Sequence, residues 1–411
     1  MTPADAESAQ QHATATADDE ALQRMLRVVP VLSGLRRAGD VLPMTDRQLL
    51  HAGPPLAAAQ DVCRPLMNSI VTAVLFEGWA HSPEAAEMMV RSGAVALRPA
   101  QDFDCALPLA DVLSPSMWLQ VVRDQGGHAA PAYSPLNGGA AHPMRVGISS
   151  PEVLAHLHWL NGPFAKAYSL ALPDDVPLID VADVALSAGD DCHGRTAHGT
   201  ARFVAQLGLS EGDASGTVVR EFIGGAPGFF LNVWMGATRC ILSAARRVAG
   251  SSVLTAAAGN GSRFGIQVAG LPQTWFTAPA EPPALSSRDR HVATEALGAI
   301  GDSAIVDCFG LGAMTTCTTA APAAAPAFAD VHPDATHVPA ALLMRPHAGF
   351  PITAPLVGTS ARRIASTGEA PIISLGVLDR TGLRGRLAGG FYRPPLAVFR
   401  DALLGLTASK A

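Results

Sequence analysis

The sequence predicts a mixed α/β (α+β) protein in which two α/β domains flank a mainly helical middle segment. Its 411 residues exceed what one hydrophobic core usually supports. Short strand-like runs alternate with helical patterns towards both ends, whereas the middle shows helical periodicity. We expect a disordered leader over residues 1–23, an N-terminal α/β domain over 24–148, a helical segment over 149–250 and a C-terminal α/β domain over 251–411.

The leader is predicted from composition, and the first domain from capped helices and short strands. Residues 1–23 are rich in Ala, Gln and Asp and lack the basic start and apolar core of a signal peptide. Ser82 can cap a helix that Pro83 opens and Gly93 closes. Strand-like runs at 95–98 and 117–122 follow this helix, and their alternation with it indicates an α/β domain.

The middle and the C-terminal part differ in periodicity. A helix start at Ser150-Pro151 is followed by Val153, Leu157, Leu160 and Phe164, which share one helix face. After residue 251 the chain returns to short β-branched or apolar runs separated by Gly and Pro, which are typical of strands and turns.

Composition excludes several classes of protein. The hydrophobic fraction of 48%, the charged fraction of 16% and the 39 glycines describe a well-buried globular chain with many turns. A net charge of −6 without a basic stripe argues against a nucleic-acid partner. The apolar stretches are too interrupted to span a membrane, and the six cysteines form no Cys-x-x-Cys pair, so we expect a cytoplasmic protein without a disulfide or zinc framework.

The densest titratable cluster is Asp190-Asp191-Cys192-His193 with Arg195 and His198. Carboxylates beside an imidazole can fix its tautomer and raise its pKa towards neutrality, so Asp190 and His193 are the candidate catalytic residues. The alternative is an acidic helix start with solvated carboxylates, because adjacent side chains on a helix do not face each other. The spacing fits no standard ligand set, and we expect no metal.

The segment 259–265 can be interpreted in two ways. Its glycines, Asn260 and Arg263 could cradle an anion with backbone N–H groups, an amide and a guanidinium fork. Equally, Asn260-Gly261 is a strong signal for the turn of a β-hairpin.

Two further acidic sites leave similar alternatives. Asp302 and Ser303 precede an apolar run and could serve a site or cap a helix, and no Gly-x-Ser-x-Gly elbow marks Ser303 as a nucleophile. Glu77 is either a buried acid that needs a partner or a charge at a strand edge.

Several glycine-rich or aromatic motifs occur in an order that resembles the AllG family, from about residue 45 to the end of the chain. They are His51-Ala52-Gly53-Pro54-Pro55, Phe76-Glu77-Gly78-Trp79-Ala80, Gly189-Asp190-Asp191-Cys192-His193-Gly194-Arg195, Phe230-Leu231-Asn232, Asn260-Gly261, Trp275-Phe276-Thr277-Ala278-Pro279 and Gly301-Asp302-Ser303-Ala304-Ile305.

The resemblance implies carbamoyl transfer between carbamoyl phosphate and a small oxamate- or ureido-type acid, as in anaerobic allantoin degradation. It also implies other subunits of a carbamoyltransferase assembly, and we expect a homo-oligomer without a cofactor. Alternatives are a hydrolase of a small amide or ureido compound and a non-catalytic substrate-binding subunit.

Within this reaction we expect Asp190 to orient His193, which carries the proton. Amide and backbone donors would stabilise a tetrahedral oxyanion, and arginines would hold carboxylate or phosphate. The residues predicted to bind substrate are Glu77, Arg195, Asn232, Asn260, Arg263, Asp302 and Ser303.

Overall fold

The described part of the chain begins with a helix. The computed structural model describes residues 16–209, 212–315 and 337–409. Helix α1 covers residues 16–26 and buries Ala21, Leu22 and Met25 in the core. The predicted leader lies outside the described residues up to residue 15. Residues 16–23 differ from that prediction because their apolar side chains fall on one helix face and find a core to pack against.

The other helices follow along the chain, and those from α5 to α10 occupy most of the middle segment. They are α2 (Ala38–Val41), α3 (Arg64–Phe76), α4 (Pro83–Arg91), α5 (Pro151–Trp159), α6 (Ala165–Ala171), α7 (Leu178–Ser187), α8 (Ala197–Gln206), α9 (Ala214–Gly224), α10 (Phe229–Ala244), α11 (Ala304–Phe309), α12 (Val338–Leu342), α13 (Ala361–Thr367) and α14 (Leu396–Ala408).

The strands are short and lie mainly on either side of the helical middle. They are β1 (Pro30–Arg37), β2 (Gln48–His51), β3 (Ala96–Pro99), β4 (Val112–Leu113), β5 (Trp118–Asp124), β6 (Ala132–Pro135), β7 (Val176–Pro177), β8 (Leu254–Asn260), β9 (Arg263–Val268), β10 (Leu271–Pro279), β11 (Ile300–Gly301), β12 (Arg345–Pro346), β13 (Leu356–Val357), β14 (Ile373–Leu378) and β15 (Arg386–Tyr392).

These strands form small sheets with orders β6-β5-β1-β7, β10-β9-β8-β11 and β3-β2-β4, and the hairpins β12-β13 and β14-β15. Strands β2 and β3 are parallel, whereas the other described pairings are antiparallel. Helices combined with small sheets confirm the predicted mixed α/β class. Within the described ranges no helix has the length and apolarity needed to cross a membrane.

Both predicted helix starts are confirmed by their caps. The Ser82 hydroxyl accepts a hydrogen bond from the Ala85 N–H (3.2 Å), and the Ser150 hydroxyl accepts one from the Val153 N–H (3.4 Å). Each cap satisfies a backbone donor that the first helical turn leaves open, and proline occupies the next position in both helices.

Buried apolar side chains form two clusters. The smaller draws on residues 38–157 and adds Leu297, Ile300 and Leu378. The larger combines α1, the middle helices and most of the C-terminal part. Because both clusters mix segments from either side of residues 148 and 250, the domain boundaries placed there stay a prediction.

Helix α10 is central to the larger cluster and brings α11 into place. Most of its residues are buried, and it packs against β5, β6, β8 and α11. Helix α11 in turn packs against β8 and β14. A backbone hydrogen bond from the Gly312 N–H to the Asp191 carbonyl (2.7 Å) joins the segment after α11 to the acidic turn 189–195.

Candidate functional site

The acidic turn before α8 is held by its own backbone and by Asp191. The N–H groups of Asp191 and Cys192 both donate to the Arg195 carbonyl (3.1 and 3.2 Å). Carboxylate oxygen Oδ1 of Asp191 accepts from the N–H groups of His193 (2.8 Å) and Arg195 (2.9 Å). The second half of the turn is thereby tied to one carboxylate, which fixes the backbone that carries the His193 imidazole.

His193 forms a buried pair with Asp307 of helix α11. Its Nδ1 lies 2.5 Å from Oδ2 of Asp307, and the two residues are 7% and 0% exposed. The other oxygen, Oδ1, accepts from the N–H groups of Ala313 (2.8 Å) and Ser374 (3.1 Å). Burial raises the pKa of the Asp307 carboxyl, whereas His193 and these two N–H donors lower it. Because Oδ1 already accepts two backbone N–H groups, we infer that the carboxyl is ionised and that Nδ1 donates its proton to Oδ2.

Glycine is required where the chain passes this carboxylate. Gly312 has a φ of +61°, and a Cβ atom there would lie 2.3 Å from Oδ1 of Asp307. Any larger residue would displace the carboxylate and, through it, the imidazole of His193.

The electrostatics of the pair favour the protonated imidazole. Burial by itself lowers the pKa of His193, but the carboxylates of Asp307 and Asp191 raise it, and the outcome is a pKa above the usual value of histidine. Since Nδ1 faces Asp307, the second nitrogen, Nε2, is the atom left to exchange a proton. Among the described residues it has no hydrogen-bond partner.

An open cation lies beside this pair. The Arg386 guanidinium, on β15, is close enough to lower the pKa of His193. Its Nε donates to the Ala388 carbonyl (3.1 Å), while its two terminal nitrogens have no partner in the described part of the chain. The residue is solvent-exposed and flanked by Gly376 and Gly389, where added Cβ atoms would lie 3.3 and 3.5 Å from the guanidinium. A planar fork with free N–H groups can bind carboxylate or phosphate.

Asp190 does not orient His193, contrary to the prediction. Its Oδ1 lies 3.1 Å from Nδ1 of His198, and its Oδ2 accepts from the Gly199 N–H (2.8 Å) at the start of α8. It therefore bonds to the start of a helix, as the alternative interpretation of this turn predicts. The carboxylates of Asp190 and Asp191 are nevertheless buried, whereas that interpretation has them solvated. Arg195 stays within the turn, with Nη2 3.6 Å from Oδ2 of Asp191.

Asp302 ties three loops together. Its Oδ1 accepts from the Gly53 N–H (3.0 Å) and the Gln101 side-chain amide (2.9 Å), and its Oδ2 accepts from the Leu107 N–H (2.8 Å). Burial raises the pKa of this carboxyl to about 7, against the lowering by these donors. Ser303 is buried at the start of α11 and makes no side-chain cap bond to the helix.

Asn260 and Arg263 lie in a β-hairpin, as the second interpretation of that segment predicts. Oδ1 of Asn260 accepts from the N–H groups of Ser262 (3.1 Å) and Arg263 (2.8 Å), and its Nδ2 donates to the Pro54 carbonyl (3.0 Å). The exposed Arg263 guanidinium bonds to Thr277 on the neighbouring strand β10 (2.8–3.0 Å). The motifs around residues 53, 260 and 302 thus do meet, but through contacts that stabilise the fold.

Asn232 and Glu77 also have protein partners. Oδ1 of Asn232 accepts from the Asn137 side-chain amide (2.9 Å), and its Nδ2 donates to the Pro135 carbonyl (3.2 Å). The Glu77 carboxylate accepts from the N–H and the hydroxyl of Ser116, both at 2.8 Å. Their roles in substrate binding, like those of the other predicted residues, stay predictions.

Comparison with known proteins identifies the family to which the chain belongs. A sequence model described as "Oxamate carbamoyltransferase subunit AllG" matches residues 95–303, which is 209 of the 411 residues. The chain belongs to the AllG family.

Relatives of this AllG-family protein match along nearly the whole chain. It is 29% identical over 408 residues to the uncharacterized protein YahG of Escherichia coli, covering 95% of this chain and 85% of YahG. It is also 29% identical over 385 residues to the oxamate carbamoyltransferase subunit AllG of the same organism, covering 88% and 90%. A crystal structure of a conserved protein of unknown function from Enterococcus faecalis superposes with a TM-score of 0.86 at 27% identity, covering 97% and 99%.

Two residues of this AllG-family site were not predicted from the sequence. Asp307 lies inside the apolar run Ala304–Phe309, and an acid in such a run is a signal that it has a buried partner. Arg386 follows a turn and carries no local signal, because it comes near enough to act on His193 only through the pairing of β14 with β15.

Proposed function

We propose that this AllG-family protein transfers a carbamoyl group between carbamoyl phosphate and a small oxamate- or ureido-type acid, as an enzyme or as a subunit of an assembly. The observation that carries the proposal is the His193–Asp307 pair with Nε2 free, together with an open Arg386 guanidinium whose charge acts on His193. The reaction class comes from the E. coli relative, the oxamate carbamoyltransferase subunit AllG.

The raised pKa of His193 suits a proton donor. When a phosphate oxygen attacks the terminal carbonyl carbon of a ureido acid, a C–O bond forms and the C–N bond breaks. The departing amide nitrogen takes the proton from Nε2 of His193. In the opposite direction the neutral imidazole accepts that proton as the amide nitrogen attacks carbamoyl phosphate. A positioned acid or base of this kind contributes roughly 10²–10⁴-fold to a rate.

Asp307 acts through His193 as a positioning residue. It holds Nδ1 and stabilises the imidazolium, so that Nε2 points away from the pair. Arg386 supplies a fork for the carboxylate of the acid or for the phosphate, and holding the reactants in register lowers the entropic part of the barrier.

The test is turnover of the purified full chain, alone and with its partner subunits, using carbamoyl phosphate and oxamate. We expect His193→Gln to lower turnover at least about 100-fold, as loss of a general acid–base group does. The matched control is His198→Gln, which changes an exposed imidazole five residues away and should retain wild-type turnover.

The products separate the alternatives. A ureido acid cleaved without phosphate would identify a hydrolase. A chain that binds oxamate but stays silent even with its partner subunits would identify a substrate-binding subunit. Wild-type turnover by His193→Gln would remove the pair from the mechanism.

A further inference from the structure

Ser374 lies on strand β14 beside the His193–Asp307 pair. Its N–H donates to Oδ1 of Asp307 (3.1 Å), the carboxylate whose other oxygen faces the imidazole. The residue is 8% exposed, and in the described part of the chain its hydroxyl has no hydrogen-bond partner. Because buried hydroxyl groups are seldom left unpaired, this one is available to a ligand. One carboxylate therefore holds both the imidazole and the strand residue that carries an open hydroxyl.

The space beside this hydroxyl is kept open by a glycine. Gly194 follows His193 in the acidic turn and is exposed, and a Cβ atom there would lie 3.7 Å from Oγ of Ser374. The Gly194 N–H also has no hydrogen-bond partner within the described ranges. Oδ2 of Asp191 borders the same space, 3.5 Å from that Cβ position, and Nη2 of Arg195 lies 3.6 Å from this oxygen and offsets its charge. A hydroxyl and a backbone N–H group are therefore open next to the imidazole.

The Arg386 guanidinium lies on the same face of the β14-β15 hairpin as the hydroxyl. Ser374 and Gly376 are two positions apart on β14, so they share one face, and about 7 Å of strand separates them. Gly376 is paired with Gly389 of β15, and the guanidinium lies against both of these glycines. The terminal nitrogens of Arg386 and the Ser374 hydroxyl thus flank a gap that a single small anion can bridge.

The open donors favour a phosphoryl group over a carboxylate. Nε of Arg386 is used by the Ala388 carbonyl, so its two terminal nitrogens remain, and they can hold two oxygens of either group. A carboxylate has no further oxygen, whereas a phosphoryl group presents a third one to the Ser374 hydroxyl and the Gly194 N–H. A phosphoryl group therefore uses donors that a carboxylate leaves unpaired.

We propose that Arg386 and Ser374 form a phosphoryl-binding subsite, with two phosphoryl oxygens on the guanidinium and the third on the Ser374 hydroxyl. Ser374 is thereby a specificity-determining residue that distinguishes phosphoryl groups from carboxylates. The assignment of this phosphoryl group to carbamoyl phosphate, or to the phosphate released from it, rests on the proposed function. Binding of the group can be measured without turnover.

The experiment is calorimetric titration of the full-length protein with inorganic phosphate, methyl phosphate and acetate. We expect the wild type to bind phosphate more tightly than acetate. Ser374→Ala should weaken phosphate binding about 10-fold, as the loss of a hydrogen bond to a charged group does, and should leave acetate binding unchanged. Arg386→Met should weaken the binding of both anions at least about 10-fold, because both use the guanidinium.

Methyl phosphate identifies the source of the phosphoryl group. Binding as tight as that of inorganic phosphate would assign the subsite to the phosphoryl end of a larger substrate. Much weaker binding would assign it to free phosphate. Either result supports the subsite.

The matched controls are Ser366→Ala, which changes an exposed serine of α13, and Arg393→Met, which changes an exposed arginine directly after β15. Both should bind phosphate like the wild type. A wild type that binds no phosphate, or a Ser374→Ala variant with wild-type phosphate affinity, would overturn the subsite. Equal losses of phosphate and acetate binding in Ser374→Ala would also overturn it, because they would indicate a general structural effect.

The same measurements separate this proposal from the proposed function. Phosphate binding that depends on Ser374, in a protein that turns over no carbamoyl phosphate even with its partner subunits, would remove the proposed function and leave the subsite in place. Turnover by the wild type together with wild-type phosphate affinity in Ser374→Ala would do the opposite.

Discussion

Asp307→Asn is the sharpest test of the His193 pair. The substitution keeps the size of the side chain, and an amide oxygen can still accept from the Ala313 and Ser374 N–H groups as Oδ1 does now. The amide NH₂ then faces Nδ1 of His193, where the carboxylate oxygen accepted before. The imidazole must become neutral with its proton on Nε2, because Nδ1 now has to accept.

The expected loss of turnover follows from the groups that set the pKa of His193. Burial and Arg386 lower its pKa, and Asp307 and Asp191 raise it. Without the Asp307 charge the effects of burial and Arg386 prevail, and the pKa of His193 should fall below its usual value. The proton needed by the departing nitrogen is then missing near neutral pH. We expect turnover to drop on the order of 10²–10⁴-fold, or about 3–5 kcal/mol in the barrier.

The assay combines turnover with an NMR titration of the His193 ring, whose signal is identified by its absence in His193→Gln. Asp190→Asn is the matched control, because Asp190 contacts His198 and the Gly199 N–H instead of His193. It should leave both the pKa of His193 and turnover near wild type. If Asp190→Asn lowers that pKa and Asp307→Asn does not, the pairing of His193 with Asp307 is refuted.

Three further perturbations test the surroundings of the pair. Gly312→Ala places a Cβ 2.3 Å from Oδ1 of Asp307 at a φ of +61°, and its control Gly78→Ala has a φ of +70° but open space around it. Backbone strain alone amounts to about 1–2 kcal/mol, so Gly312→Ala should lower the free energy of unfolding in urea by more than the control does. Equal losses in the two variants would contradict the clash. Arg386→Met should raise KM for the anionic substrate about 10-fold, because it removes a charge-assisted hydrogen bond of about 1.5 kcal/mol. The change in kcat should be smaller. An unchanged KM would exclude the Arg386 guanidinium from substrate binding. Asn260→Ala should lower the free energy of unfolding by about 1–3 kcal/mol, because the backbone groups that bond to the Asn260 amide lose their partner. Turnover per folded molecule should stay at the wild-type value. A large loss of turnover would instead support the predicted role of Asn260 in stabilising the oxyanion.

Local signals in the sequence predicted local structure well. The caps at Ser82 and Ser150 and the turn at Asn260-Gly261 each depend on residues within four positions of one another. Such contacts form whatever the rest of the chain does, so their patterns can be recognised in a single sequence. The helix over residues 16–26 is the exception. Its stability depends on a core formed by distant segments, and composition alone suggested a leader.

The candidate site was predicted only in part, because its decisive contacts are long-range. His193 and Asp307 are 114 positions apart, and nothing near His193 distinguishes Asp307 from the closer acid Asp190. In this turn the Asp191 carboxylate is bonded to peptide N–H groups, and the Asp190 carboxylate is bonded to His198. The imidazole is thereby turned towards α11, which the pattern of adjacent residues could not reveal.

Two acids at α11 show why convergence alone does not define a site. Asp302 accepts from three protein donors and has lost most of its capacity to bind anything else. Asp307 is as well bonded, but one of its partners is an imidazole with a second nitrogen. A buried carboxylate saturated by backbone and amide donors stabilises the fold. A buried carboxylate that holds a histidine also raises the pKa of that histidine, whose second ring nitrogen can reach a ligand. We therefore expect the functional residue in such a cluster to be the partner with a hydrogen-bonding atom left unpaired, and here that partner is His193.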